Sequence, residues 1–136
     1  VLTHLAYERH RKTLSSISIE DLLVVPVPLH PRKSRVRGFN QSHLIAQQLA
    51  ELIPATLDQT LLYRVIDTPD QKNLPLSARK KNLKDSFQVA RNLKGNRVLL
   101  VDDVVTTGTT ITEISRCLLE SGASDVVVFA VARTPP

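Results

Sequence analysis

Two adjacent carboxylates, Asp102 and Asp103, follow the apolar run Val98-Leu-Leu-Val101 and precede Val104-Val-Thr-Thr-Gly-Thr-Thr110. The stretch joins a buried strand, an acidic pair, a hydroxyl-rich turn with one glycine and a helix start. Thr106, Thr107, Gly108, Thr109 and Thr110 can aim backbone N–H groups and hydroxyls at one point near a positive helix end, which makes an anion cradle of phosphate size. Asp102 and Asp103 stand three to eight residues ahead of its members. That is close enough to contact a sugar whose phosphate the cradle holds, either as acceptors for vicinal hydroxyls or through a hard divalent ion. A phosphorylated ribose satisfies both halves. An acidic pair after an apolar strand can also cap the next helix, form a receiver-like acidic pocket or serve as the acidic strand of an ATPase. The ATPase reading fails because the chain has no G-x-x-x-x-G-K sequence. A simple cap leaves the four threonines around the glycine unexplained.

The surrounding elements must bring this motif to a sheet edge. Asp21-Leu-Leu-Val-Val-Pro-Val-Pro28 is a Val-rich run ended by prolines and reads as a buried strand. A strongly basic loop from His30 to Asn40 follows, then a helix with Leu44, Ile45, Leu49, Leu52 and Ile53 on one stripe before Pro54. Thr60 to Ile66 reads as a second strand and Thr3 to Leu14 as a short polar helix. In the polar stretch from Asp67 to Asp85, expected to be mobile, Ser77 can cap a short helix carrying Arg79, Lys80 and Lys81. Arg97 to Val101 is a further strand, Thr109 to Ser121 a helix that Gly122 is placed to end, and Asp125 to Val131 a third Val-rich strand. Buried strands alternating with amphipathic helices predict one α/β domain over residues 1–136 with a mainly parallel sheet. In such a domain ligands sit beyond the carboxyl ends of the strands.

Composition narrows the classes. The net charge of +5 favours polyanionic partners. With five Phe and Tyr residues and no Trp, a stacking platform for single-stranded nucleic acid has few faces, which favours small phosphates. Cys117 is the only cysteine, so no disulfide can form within the chain and a cysteine-rich zinc site inside it is excluded; its neighbours Ile114, Leu118 and Leu119 predict a core thiol. No stretch approaches the roughly 18 to 20 apolar residues of a membrane span, and the reading is of a soluble, cytoplasmic protein. The lack of any methionine leads us to expect a segment upstream of Val1.

The stretch Val98–Thr110 resembles the signature of type I phosphoribosyltransferases at every defined position. Val25-Pro-Val-Pro-Leu-His30 and Arg35-Val-Arg-Gly-Phe-Asn-Gln41, with Arg64, Thr68, Gln71, Leu74, Arg79, Asn82 and Phe87, resemble the competence protein F (ComF/GntX) family of that superfamily. The resemblance implies a parallel sheet flanked by helices with a flexible hood. It implies 5-phosphoribosyl 1-diphosphate as ligand, with Mg²⁺ bridging ribose and diphosphate oxygens beside Asp102 and Asp103. It assigns the 5-phosphate to Thr106–Thr110 and the ribose hydroxyls to the two aspartates. Pyrophosphate falls to Arg35, Arg37 and Gly38, with Arg32 and Lys33 as outer helpers, and the hood contact to Arg79. A solvated basic loop is the alternative for the arginines, a solubilising helix face for Arg79, and a helix cap for Asn40. His30 and His43 are acid–base candidates, although surface or capping histidines are commoner.

Thr106 stands where hypoxanthine-guanine enzymes carry an Asp against the purine, which argues against oxopurine salvage. Family members are similar in having a cysteine-rich segment ahead of this domain, and are linked to DNA uptake and in some bacteria to gluconate use. Three roles follow as expectations: phosphoribosyl transfer to a nitrogen nucleophile, binding of single-stranded DNA or competence machinery on the same fold, or partner docking, with a homodimer compatible with each.

Overall fold

The computed structural model describes Glu8 and residues 21–29, 40–65, 86–105 and 108–133. Glu8 is helical; the rest of the helix expected over Thr3–Leu14 and the polar stretch 67–85 lie outside the described residues. The elements are β1 (Leu22–Pro26), α1 (Gln41–Leu52), β2 (Thr56–Leu57), β3 (Leu62–Arg64), β4 (Phe87–Val89), β5 (Arg97–Val105), α2 (Thr109–Glu120) and β6 (Asp125–Arg133). No helix among the described residues is long and apolar enough to cross a membrane.

β2, β1, β5 and β6 form one parallel sheet in that order. All five residues of β1 are buried, because helices cover both faces and leave no solvent side for polar residues. The two-residue period then splits the core. Leu23, Val25, Val98 and Leu100 turn towards α2, where Ile114, Cys117 and Leu118 meet them. Leu22, Val24, Leu99 and Val101 turn towards α1, against Ile45, Ala46 and Leu49. Cys117 is thus the core thiol expected of it.

The α1 stripe is rotated from the expected one. Ser42, Ile45, Ala46 and Leu49 are the buried positions, and Leu44 faces solvent. A separate antiparallel ribbon pairs β3 with β4, its Leu62 and Phe87 joining the α2-side core. The Arg64 guanidinium lies over the Phe87 ring, 4.7 Å from its centre.

The sheet's topology selects one crevice. From β1 the chain crosses over through α1 to β2 on one side; from β5 it crosses over through α2 to β6 on the other. The carboxyl ends of β1 and β5 therefore flank the point where the winding direction reverses, and that is where open α/β sheets leave room for a ligand.

α2 stops as expected at Gly122. The Ala123 N–H donates to Leu118 O at 3.1 Å and the Gly122 N–H to Leu119 O at 3.1 Å, the paired bonds of a Schellman ending, with Leu118 and Ala123 both in the core. Gly122 has φ +103°, and a Cβ there would lie 2.9 Å from Asn92 Oδ1 and 3.3 Å from Lys94 N. Gly122→Ala is expected to destabilise the fold by about 2 kcal/mol, combining left-handed strain with that clash. Thermal melting then shows a Tm about 5 °C or more below wild type; an unchanged Tm would show that the 92–94 turn yields freely.

Candidate functional site

β1 and β5 run side by side until Pro26 meets Val101, and the last tie between them is the Val27 N–H donating to Val101 O at 2.8 Å. β5 does not stop there. It continues to Val105, paired with β6 as far as Arg133. The acidic pair, expected just beyond a strand ending at Val101, instead lies inside the ladder, on a stretch whose β1 side has opened. A strand with one neighbour and one open side tolerates charge that its doubly flanked half, Val98–Val101, does not.

The start of α1 is fastened across this opening. Asn40 caps the helix, its Oδ1 accepting from the Ser42 N–H at 3.0 Å. Its amide nitrogen donates to Val27 O at 3.0 Å, which ties the cap to the exit of β1. The Ser42 hydroxyl donates to Asp102 Oδ1 at 3.2 Å, and the Asp103 N–H donates to the same oxygen at 2.9 Å. Asp103 Oδ1 accepts from the Val104 N–H at 2.8 Å.

Burial pushes the Asp102 carboxyl up to about 6, with the neighbouring Asp103 carboxyl adding to the rise; the Asp103 N–H and the Ser42 hydroxyl oppose it. A cation or a set of hydroxyl donors at this point would relieve both the burial and the mutual repulsion.

α2 follows at once. Gly108 enters it with φ +80° and brings no side-chain cap, and the first turn contains no acidic residue. The positive end of the helix is thus not neutralised from within that turn. Gly108 O accepts from the Thr112 N–H at 2.9 Å and from the Thr112 hydroxyl at 2.8 Å. These bonds fix the turn on which Thr109 and Thr110 stand.

Of the residues expected at the site, Asp102, Asp103, Gly108, Thr109 and Thr110 follow one another along the carboxyl end of β5 and the start of α2. Thr106, Thr107, Arg35, Arg37, Gly38 and Arg79 lie outside the described residues, as do Arg32, Lys33 and His30. Asn40 is the helix cap that was one of its two readings. His43, on α1 beside Ser42, is half-buried, and its Nε2 finds no hydrogen-bond partner among the described residues.

Sequence reasoning missed Ser42. Its signal was a polar residue at the head of the stripe Ser42, Ile45, Ala46, Leu49, where an apolar residue belongs. A cavity of about 520 Å³ lies towards the other end of α2, beside Phe87, Arg116 and Cys117. Arg116 there is paired with Glu113 and Glu120.

An acidic pair and a helix start that draws no side-chain cap from Gly108 thus stand at the reversal point of a parallel sheet. The phosphoribosyl transferase domain family matches residues 32–135, and the chain belongs to it. Among its relatives is the DNA utilization protein YhgH of Salmonella typhi, 42% identical over 111 residues that make up 82% of this chain and 49% of that protein. Competence protein F of Haemophilus influenzae is 37% identical over 81% of this chain and 49% of its own length. Competence protein ComFC of Bacillus subtilis is 31% identical over 82% and 45%. The competence protein F resemblance drawn from the sequence is thereby met, and the chain spans about half the length of the curated relatives it matches.

Solved structures agree on the fold. The allosteric regulatory enzyme of purine biosynthesis superposes with a TM-score of 0.65 at 23% identity, over 99% of this chain and 26% of that one. A hypoxanthine phosphoribosyltransferase from Staphylococcus aureus gives 0.61 at 12% identity, over 98% and 73%. The architecture is the type I phosphoribosyltransferase fold, as expected.

Proposed function

We propose that the chain binds 5-phosphoribosyl 1-diphosphate with Mg²⁺ and transfers the phosphoribosyl group to a nitrogen nucleophile. The observation that carries this reading is the half-buried Asp102–Asp103 pair at the open end of β5, ahead of the start of α2, whose first turn holds no acidic residue. In this reading Thr106, Thr107, Gly108, Thr109 and Thr110 hold the 5-phosphate through backbone N–H groups and hydroxyls. Asp102 and Asp103 accept hydrogen bonds from the ribose hydroxyls. Arg35, Arg37 and Gly38 bind the pyrophosphate, and Arg79 closes over it.

The donor set of two hard carboxylates suits Mg²⁺, which binds through one or two carboxylates, substrate phosphates and waters, and which when bound would neutralise diphosphate charge. As the bond from ribose C1 to the diphosphate oxygen breaks, pyrophosphate leaves with the electron pair and C1 gains positive charge. Two carboxylates close to C1 favour that charge electrostatically. The nitrogen lone pair then forms the new C1–N bond, and the nitrogen's proton passes to solvent.

Calorimetric titration of the chain with 5-phosphoribosyl 1-diphosphate and Mg²⁺ is expected to show micromolar binding. A folded chain that takes up no heat of binding overturns the reading.

A second reading rests on the charge of +5 and on relatives named for DNA utilization and competence. Here the domain keeps the fold and serves single-stranded DNA or the competence machinery. Its mark is DNA affinity that falls steeply and linearly in log–log form with salt; binding that is absent or indifferent to salt removes it.

A further inference from the structure

Among the described residues only Ser42 and Ser86 are polar and buried, and Ser42 is 4% exposed. A buried hydroxyl is costly unless its proton is used, and that of Ser42 goes to Asp102 Oδ1, sixty residues away in sequence. The Ser42 N–H is taken by Asn40, whose amide is anchored on Val27 O. The result is a line of three hydrogen bonds from the end of β1, through the start of α1, to the acidic end of β5. It crosses the crevice between the two strands. The helix that carries it does not shift easily, because Ile45, Ala46, Leu49 and Ile53 are packed against Leu22, Val24, Leu99 and Val101.

We infer that Ser42 is a positioning residue of the phosphoribosyl site: its hydroxyl fixes the Asp102 carboxylate and couples it to the helix start that follows the basic segment. The inference rests on the donor-binding reading above. Asp102 Oδ1 carries both bonds, one from Ser42 and one from the Asp103 N–H, so Oδ2 is the oxygen held by neither. With the Ser42 bond gone, Asp102 keeps only the tie to its own neighbour and its side chain regains rotational freedom, which an oriented contact to a ribose hydroxyl does not tolerate. Arg35, Arg37 and Gly38 stand two to five residues before Asn40 in sequence.

A double-mutant cycle tests this, with Ser42→Ala, Asp102→Ala and the pair titrated with 5-phosphoribosyl 1-diphosphate and Mg²⁺ and each variant's folding verified by thermal melting. Ser42→Ala is expected to weaken binding about 10-fold in the wild-type background, the size of one hydrogen bond to a charged group. In the Asp102→Ala background, where no side-chain acceptor remains for the Ser42 hydroxyl, it is expected to change binding less than about 2-fold, because its effect passes through the missing carboxylate. Ser42→Thr, which keeps the hydroxyl, is expected to stay within about 3-fold of wild type by the same logic. Equal losses from Ser42→Ala in both backgrounds, or none in the wild-type background, overturn the inference and leave the donor site standing. A wild-type chain that does not bind the donor overturns the donor reading itself, so the two failures are distinct.

Discussion

Replacing both Asp102 and Asp103 by asparagine is expected to weaken binding of 5-phosphoribosyl 1-diphosphate and Mg²⁺ on the order of 100-fold or more, from the loss of two hydrogen bonds to charged acceptors of about 1.5–3 kcal/mol each. The same change at Asp102 alone is expected to make the fold more stable at neutral pH. The Asp102 carboxyl has an ordinary value of 3.8 and is raised to about 6 in the folded chain, so folding disfavours its ionised form. Below about pH 4 both states are protonated and the penalty is absent; stability is lost as pH rises from about 4 to 6 and stays lost above that. Asparagine carries no charge to bury, and its Oδ1 can accept the same bonds from Ser42 and the Asp103 N–H. Thermal melts of wild type and Asp102→Asn should therefore differ in favour of the variant at pH 7.5 and converge towards pH 4. A variant that melts lower at pH 7.5 by as much as at pH 4 would mean that the carboxylate carries no such penalty. A residue that lowers stability in the free protein and gains partners from a ligand is what a site held ready for that ligand looks like.

The legible parts of the fold were those buried on both sides or closed by a specific cap. β1, β5 and β6 declare themselves as Val-rich runs because a parallel sheet between two helices has no polar face, and Gly122 and Asn40 mark helix ends by backbone and side-chain chemistry that few other residues supply. β2 and β4, of two and three residues, are too short for an alternation to register. The strand reading of β5 stopped at Val101 because charge ordinarily excludes a residue from a ladder. Pairing with β6 alone, after β1 has ended, is a tertiary circumstance that no local pattern carries. The rotation of the α1 stripe has a related cause: Leu44 and Leu52 have the hydropathy for the core, but the helix turns Ser42 inward to reach Asp102 and leaves Leu44 in solvent. The acidic pair and Gly108 were legible as a motif. The hydroxyl that ties one acid in place was not, because its partner is sixty residues distant.

If the acidic pair serves ligand and the strand beneath it serves the fold, then a change one layer down should give the opposite phenotype. Leu100 lies on β5 between β1 and β6, two residues before Asp102, fully buried among Val25, Leu118 and Ile114. Truncation to alanine removes three heavy atoms from a site closed by two strands and a helix, with little room to collapse, and is expected to cost about 2–5 kcal/mol. Against a total of about 5–15 kcal/mol for a domain this is a large fraction, and Tm should fall by about 10 °C. Donor affinity, measured well below the new melting transition, should stay within about 3-fold of wild type, since the cavity opens on the α2 side and alters no group that would touch the ligand. The pair of variants thus separates the two jobs of one strand: Asp102→Asn gives up binding and gains stability, while Leu100→Ala gives up stability and keeps binding. Should Leu100→Ala abolish donor binding while still folded, the ligand site would depend on the packing of β5 against α2, and the start of α2 would be the element to follow by hydrogen exchange.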